Sequence, residues 1–224
     1  PGRQMHESGG MPPVFDDLAE LFGPRSVVLV GASDRPGSLG RRTLDNLTVH
    51  GEFRGELHLV NPAHREIEGR PCWPSVLDLP PQAAPTVAVI VVPAPAVLEA
   101  VGHCAACGVR FAIVLSAGFG EEGEHGLALE AEMRRVARAA GMRIYGPNCP
   151  GIVNVKERIG LTFSPAFRED LRPGPIAVAT QGGALGRNLL QGGERGCGYV
   201  AWASSGNEAD LQLADFIHHF ARQP

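Results

Sequence analysis

The 224-residue sequence holds a single lysine, Lys156, and every other side-chain cation apart from histidine is arginine. With 20 basic residues against 24 acidic ones the formal net charge is -4, so the chain lacks the basic field that draws in nucleic acid. Nucleic acid is not expected as a partner. A run of about 18 apolar residues is also missing, as is a charged leader followed by an apolar stretch, so neither a membrane span nor an export signal is read. The expectation is a cytoplasmic protein without a membrane partner. Five cysteines (Cys72, Cys104, Cys107, Cys149, Cys197) at scattered spacing make no paired framework and suit reduced thiols. His103-Cys104-Ala105-Ala106-Cys107 has CxxC spacing, but no second ligand pair accompanies it, and an Ala/Val-rich helical setting makes these small buried helix residues.

Several catalytic signatures are absent. The sequence has no GKS/T phosphate loop, no GxSxG elbow and no HExxH pair. The elbow-like Thr180-Gln181-Gly182-Gly183 carries no serine, so a hydrolase would lack its nucleophile. No metal site is read, and His218-His219 are expected as solvated helix residues.

What is present alternates. Hydrophobic content is 44%, ample for a core. The first thirteen residues read as a tag scar or ragged terminus. Helical spacing follows over Val14–Phe22. Apolar, β-branched runs at Ser26–Gly31, Glu56–Asn61, Thr86–Val92, Arg110–Ser116 and Met142–Tyr145 predict strands. Helical patterns over Gly37–His50, Ala94–Cys107 and Gly126–Ala140 separate most of them. Strands that are near-continuous V/I/L/A mean a parallel sheet covered on both faces, hence a Rossmann-like doubly wound α/β domain over 14–160. A looser segment, Ile152–Arg172, leads to a second series over 174–224. It comprises a strand at Pro175–Thr180, a turn at Gln181–Gly186 into a helix, a strand at Gly198–Ala203, and a helix from Ala209 to Ala221 capped by Ser205-Gly206-Asn207-Glu208. Two βα units make a poorly covered sheet, so this second α/β domain is expected to be truncated.

The chain is organised around Val27–Arg42, VVLVGASDRPGSLGRR. A strand breaks at Gly31 into a small polar loop, and a helix starts after Gly37 and Gly40. That pattern cradles phosphate, because glycines admit the anion to backbone N–H groups and a helix start presents unpaired ones. Arg35 would pair its guanidinium with a ligand phosphate. The default ligand of such a turn is a nicotinamide dinucleotide, and two details count against it. The spacing is G-x5-G-x2-G, and the next strand ends in Asn61-Pro62 where a ribose-binding carboxylate would stand. A literal GxGxxG at Gly118–Gly123 contains two carboxylates that would repel a pyrophosphate, and its glycines read as a tight turn.

Seven ordered blocks then resemble one family. They are GASDRPGSLG, Leu59-Val60-Asn61-Pro62, Val91–Pro95, Ile113–Gly120 (IVLSAGFG), Gly146–Gly151 (GPNCPG), Ile176–Gly186 (IAVATQGGALG) and Ser205–Asp210 (SGNEAD). The chain is similar to the nucleoside-diphosphate-forming acyl-CoA synthetases, the succinyl-CoA synthetase α-subunit superfamily, and most to its ADP-forming acetyl-CoA synthetase branch. The resemblance implies a CoA-binding domain followed by a flavodoxin-like one. It implies CoA or acyl-CoA contacts from Gly31, Ser33, Arg35, Pro36, Gly37, Ser38, Leu39 and Gly40 at the phosphates, and from Asn61, Pro62 and His64 at the nucleotide end. Val92, Pro93, Ala94, Ser116, Ala117 and Gly118 would line the cofactor's path, with Asn148, Cys149 and Pro150 near its thiol. Gln181, Gly182 and Gly183 would seat a phosphoryl group. The implied reaction joins acid, CoA and ATP to give acyl-CoA, ADP and phosphate through an acyl phosphate and a phosphohistidine, with ATP/ADP and Mg2+ held by an ATP-grasp β-subunit or fused domain. Ala63-His64 stand where relatives carry a lysine, Gly182-Gly183 replace a Ser-Gly, and no histidine occupies the phosphohistidine motif. No residue of this chain is therefore assigned a catalytic role, Cys149 included, and the chain is not expected to turn over alone. The alternatives are a CoA-sensing module fused to another catalytic domain such as an acetyltransferase, or an NAD(P)-binding Rossmann protein.

Overall fold

A seven-stranded sheet organises the larger part of the molecule. In the computed structural model Phe15, residues 17–167 and residues 171–223 are described; the expected tag segment 1–13 lies outside them. Of the helix expected over Val14–Phe22, the described part is one turn, α1 (Ala19–Phe22). The chain continues through β1 (Ser26–Val30), α2 (Leu39–Thr48), β2 (Glu56–Val60), β3 (Glu66–Ile67), β4 (Arg70–Trp73), β5 (Val87–Ile90), α3 (Ala94–Ala106), β6 (Phe111–Val114), α4 (Glu124–Ala139) and β7 (Arg143–Tyr145). The sheet order is β3-β4-β2-β1-β5-β6-β7, parallel throughout except where β3 turns back on β4. The strands wind outward from β1 to β4, then return to β5 on the other side of β1. The carboxyl ends of β1 and β5 therefore form the switch point of a doubly wound sheet.

The central strands β1, β5 and β6 are buried on both faces, which is why they show no polar alternation. Val28 and Val30 point with Ala88 and Ile90 into a core closed by Val97, Val101 and Cys104 of α3 and Met133 and Ala137 of α4. Val27 and Leu29 point the other way, onto Leu44 and Leu47 of α2. Each such fully buried aliphatic side chain contributes about 1.5–3 kcal/mol.

The segment expected to be loose, Ile152–Arg172, is instead ordered over its first half as the antiparallel strands β8 (Gly151–Asn154) and β9 (Ile159–Thr162). They join β10 (Pro173–Thr180) and β11 (Tyr199–Ser204) in a second sheet of order β10-β11-β8-β9. This sheet does not stand alone, as the two βα units would have done. Ile152, Leu161, Ala201 and Ala203 share one core with Leu29, Leu44 and Leu47 of the first sheet. Asn46 on α2 donates to the carbonyls of Thr162 (2.6 Å) and Ser164 (3.1 Å), so the helix behind the phosphate-type loop is clamped to the second sheet. α5 (Gly183–Leu190) follows β10 as expected.

The last helix differs from expectation. Residues 205–208 do not cap it; α6 runs from Leu213 to Ala221, started by a capping box in which Gln212 and Asp215 exchange backbone hydrogen bonds. Residues before it run back along β7, where Ala209 and Leu211 donate to the carbonyls of Gly146 and Ile144, both at 3.0 Å. No helix among the described residues is long and apolar enough to cross a membrane.

Candidate functional site

The turn after β1 is shaped by how closely its backbone packs. Gly31 has φ +93°, and a Cβ there would stand 2.8 Å from the Val91 carbonyl oxygen. A Cβ on Gly40 would stand 2.1 Å from the Gly31 oxygen, so the first turn of α2 sits directly on the end of β1. Ser38 caps α2 by accepting the Arg41 N–H (3.1 Å) and donates to the Arg35 carbonyl (2.9 Å). Helix geometry then leaves the N–H groups of Leu39 and Gly40 without an intrahelical acceptor. Ser33 accepts the Arg35 N–H at 3.1 Å, and Arg35, Pro36 and Gly37 are exposed at the tip.

Asn61, at the end of β2, spends its side chain on the loop itself. Its amide donates to the Ala32 carbonyl (2.7 Å) and accepts the Ala63 N–H (2.9 Å). An amide can do both at once, whereas a carboxylate could only accept. The residue that argued against a nicotinamide cofactor therefore fixes two adjacent turns to one another. His64 reaches back to within 3.9 Å of Asp34 in the first turn.

A cleft of about 530 Å3 opens at the switch point, lined in part by Gly31, Asn61, Pro62, Val92 and Pro93. Five residues expected from the sequence thus meet in it. The remainder of that expected set lies outside the cleft, as a row of loops along the same carboxyl edge, each tied to its neighbour. Ser116 donates to the Val92 carbonyl at 2.5 Å, and Asn148 N–H to the Ser116 carbonyl at 2.8 Å. Ala94 Cβ stands 3.0 Å from where a Gly118 Cβ would be, and Pro150 Cγ 3.0 Å from where a Gly183 Cβ would be. Gln181 donates to the Gly206 carbonyl at 2.9 Å, and Asn207 N–H to that of Pro147 at 2.9 Å. The row runs unbroken from the β1 turn to the N-terminus of α5.

Cys149 is fully packed under this row, its thiol directed to the Val114 carbonyl (3.4 Å) and pushed by burial up to about 12. It is no nucleophile at neutral pH. Burial does the same to Cys104 on α3 and raises the half-buried Cys107 as well. The literal GxGxxG is a tight turn in which Glu121 accepts the Gly118 N–H at 2.6 Å. Among the described residues no group of three or more His, Cys, Asp or Glu side chains could hold a metal.

The sequence reading missed the far wall of the cleft. Pro74, Ser75 and Val76 come from the turn after β4, and Ala96, Glu99, Ala100 and His103 from α3. Ser75 and His103 are 28 positions apart and hydrogen-bonded (3.1 Å between Oγ and Nδ1). His103 stood beside the CxxC, where packing explained the segment, so only its exposure on the helix could have marked it.

Residues 25–155 match the family model of a CoA binding domain, and residues 173–224 match that of a succinyl-CoA ligase like flavodoxin domain. The chain is 40% identical over 209 residues to the acetate–CoA ligase (ADP-forming) I subunit alpha of Pyrococcus furiosus, covering 91% of this chain and 44% of that one. It is 39% identical to acetate–CoA ligase (ADP-forming) I of Archaeoglobus fulgidus, over 92% of this chain and 29% of the relative. The solved apo form of the dinucleotide forming acetyl-coenzyme A synthetase 1 of Ca. Korarchaeum cryptofilum superposes with a TM-score of 0.85 at 38% identity, over 93% of this chain and 44% of that one. The chain thus spans less than half the length of these relatives.

Proposed function

Because this chain belongs to the CoA-binding domain family, with a succinyl-CoA ligase-like flavodoxin domain behind it, we propose that it is the CoA-holding portion of an ADP-forming acid–CoA ligase. In this reading domain 14–160 lays CoA along the row of carboxyl-end loops, and domain 174–224 receives its reactive end. The observation that carries the reading is the β1 turn: its closest backbone approach is one that only glycines allow, and the free N–H groups of Leu39 and Gly40 lie at its helix start. Ser33, Arg35–Gly40 and His64 surround the phosphates. Arg35 and Arg65 supply the positive charge that relatives draw from a lysine.

From the phosphates, the pantetheine arm passes Val92-Pro93-Ala94 and Ser116-Ala117-Gly118 towards Asn148-Cys149-Pro150. With Cys149 buried and protonated, the only thiol offered to chemistry there is the cofactor's own. Gln181-Gly182-Gly183 start α5 next to Pro150, so a phosphoryl group seated on those N–H groups would lie beside the thiol end. The reaction served is acid, CoA and ATP giving acyl-CoA, ADP and phosphate. The acyl phosphate, the phosphohistidine and the ATP-grasp unit with its Mg2+ belong to the whole protein; this chain binds and orients.

Calorimetric titration of the chain with CoA tests the reading. Saturable binding that weakens with salt and falls about tenfold in Arg35→Ala is expected, in line with a charge-assisted phosphate contact. Tight NAD binding with none for CoA would refute it.

A further inference from the structure

We propose that Asn207 is the positioning residue that joins the two ends of the loop row, holding the Gly118–Glu121 turn on the cofactor's path against the Gln181–Gly183 turn of the second sheet. This rests on the CoA reading of the row. Asn207 stands in the turn after β11, which is tied to its own sheet in both directions. Gly206 N–H donates to the Gln181 carbonyl at 3.0 Å, and the Gln181 side-chain amide donates to the Gly206 carbonyl at 2.9 Å. The Asn207 side chain reaches the loops of the first sheet instead. Its NH2 group donates to Glu121 and, at 2.7 Å, to Glu130 Oε1 on α4, while its oxygen accepts the Asn148 amide at 3.3 Å. Each carboxylate in turn holds the path loop, Glu121 by accepting the Gly118 N–H at 2.6 Å and Glu130 by accepting the Gly120 N–H at 2.9 Å.

Carboxylates only accept, so the NH2 group must face them and the amide oxygen is left for Asn148. Both donors of the amide are in use, which no Asp or Leu of the same size could supply. Burial pushes the Glu121 carboxyl up, but the Gly118 N–H and the Asn207 amide outweigh it and hold it below its ordinary 4.5. Without Asn207 the two carboxylates would meet as like charges, and their repulsion would open the turn they hold. The other charged groups nearby do not replace it. Arg134 on α4 donates to the Ala209 carbonyl at 3.0 Å, Glu208 accepts the Ser205 hydroxyl at 2.6 Å, and Glu122 adds a further negative charge beside Gly118. Gly118 has φ +102°, and a Cβ on it would stand 3.0 Å from Ala94 Cβ, so a shift of this turn moves the wall of the path itself.

The test is calorimetric titration of the chain and its variants with CoA and with adenosine 3′,5′-bisphosphate, which keeps the nucleotide end but lacks the pantetheine arm. Asn207→Ala should bind CoA about tenfold more weakly, the scale of one or two hydrogen bonds, and bind the bisphosphate as the wild-type chain does. Asn207→Asp should be worse than Asn207→Ala at about pH 8, because it sets a third carboxylate where two donors stood. Its deficit relative to the wild-type chain should shrink as pH falls towards about 5, where a proton shared among three crowded carboxylates lets the side chain donate again. A role in packing alone gives no such pH dependence. If Asn207→Ala lowers the melting temperature and both affinities together, Glu121→Ala on the exposed turn decides instead, and it must weaken CoA binding alone. Unchanged CoA affinity in Asn207→Ala, no selective loss in Glu121→Ala, or a deficit in Asn207→Asp that does not vary with pH overturns the positioning role and leaves the CoA reading standing. A wild-type chain that binds no CoA overturns both.

Discussion

Gly40 and Gly37 frame the same turn but do different work there. A side chain on Gly40 would collide with the Gly31 backbone, which cannot move without displacing β1; Gly37 has φ +80° and open space around it. Gly40→Val is expected to abolish CoA binding and to cost about 1–3 kcal/mol of stability. Gly37→Ala should cost only the left-handed backbone penalty, about 1–2 kcal/mol, and leave most of the affinity. Urea unfolding and calorimetry on the two variants separate these outcomes. The glycine spacing was legible in the sequence, but which glycine is indispensable was not, because it depends on strand and helix backbones meeting. Cys149 reads in the sequence as a turn cysteine held between Asn148 and Pro150, and the structure buries it there. At pH 8 a thiol reagent should leave Cys149 unmodified in the native chain and reach all five cysteines only in denaturant. Labelling of Cys149 without unfolding would contradict its packing.

The elements of the parallel sheet were legible because buried strands and amphipathic helices carry strong, distinct periodicities. β3 and β4 escaped because a two-residue strand has no period and Pro71 argues against pairing. β8 and β9 escaped because a four-residue strand on either side of a polar Lys156-Glu157-Arg158 turn looks like loop. The start of α6 was misplaced because Ser205–Glu208 read as a cap, whereas Asn207 and, two residues past that stretch, Asp210 are engaged across the structure. Asp210 is buried against β7, 2.6 Å from Arg138 and 2.7 Å from Arg143, and accepts the Ile144 N–H at 2.9 Å. Burial pushes its pKa up, but the arginines and that N–H outweigh it and hold the carboxyl below its ordinary 3.8. A carboxyl depressed in the folded state stabilises it above the unfolded value, and the contribution fades as pH falls from about 4 through the folded value. Asp210→Asn should therefore cost about 2–3 kcal/mol at pH 7 and progressively less below pH 4. Chemical denaturation across that range measures it; a loss independent of pH would assign the effect to packing.

At the scale of the molecule, one core joins the two sheets, and α2, the helix that presents its N-terminus at the candidate phosphate turn, is clamped to the second sheet through Asn46. That coupling was not legible, since the contacts of Asn46 lie more than a hundred residues away in a segment that looked loose. What the sequence did carry was the identity of the carboxyl-edge loops, because each is a short fixed string of turn residues. The central claim is that these loops form one continuous seat for CoA. Amide shift mapping of the 15N-labelled chain on titration with CoA tests it most directly. Perturbations should begin at Gly31–Gly40, pass through Val92, Ala94 and Ser116–Gly118, and reach Asn148–Cys149 and Gln181–Gly183, with none induced by NAD at the same concentration. Shifts confined to the opposite, amino-terminal edge of the sheet, or the same map produced by NAD, would contradict it.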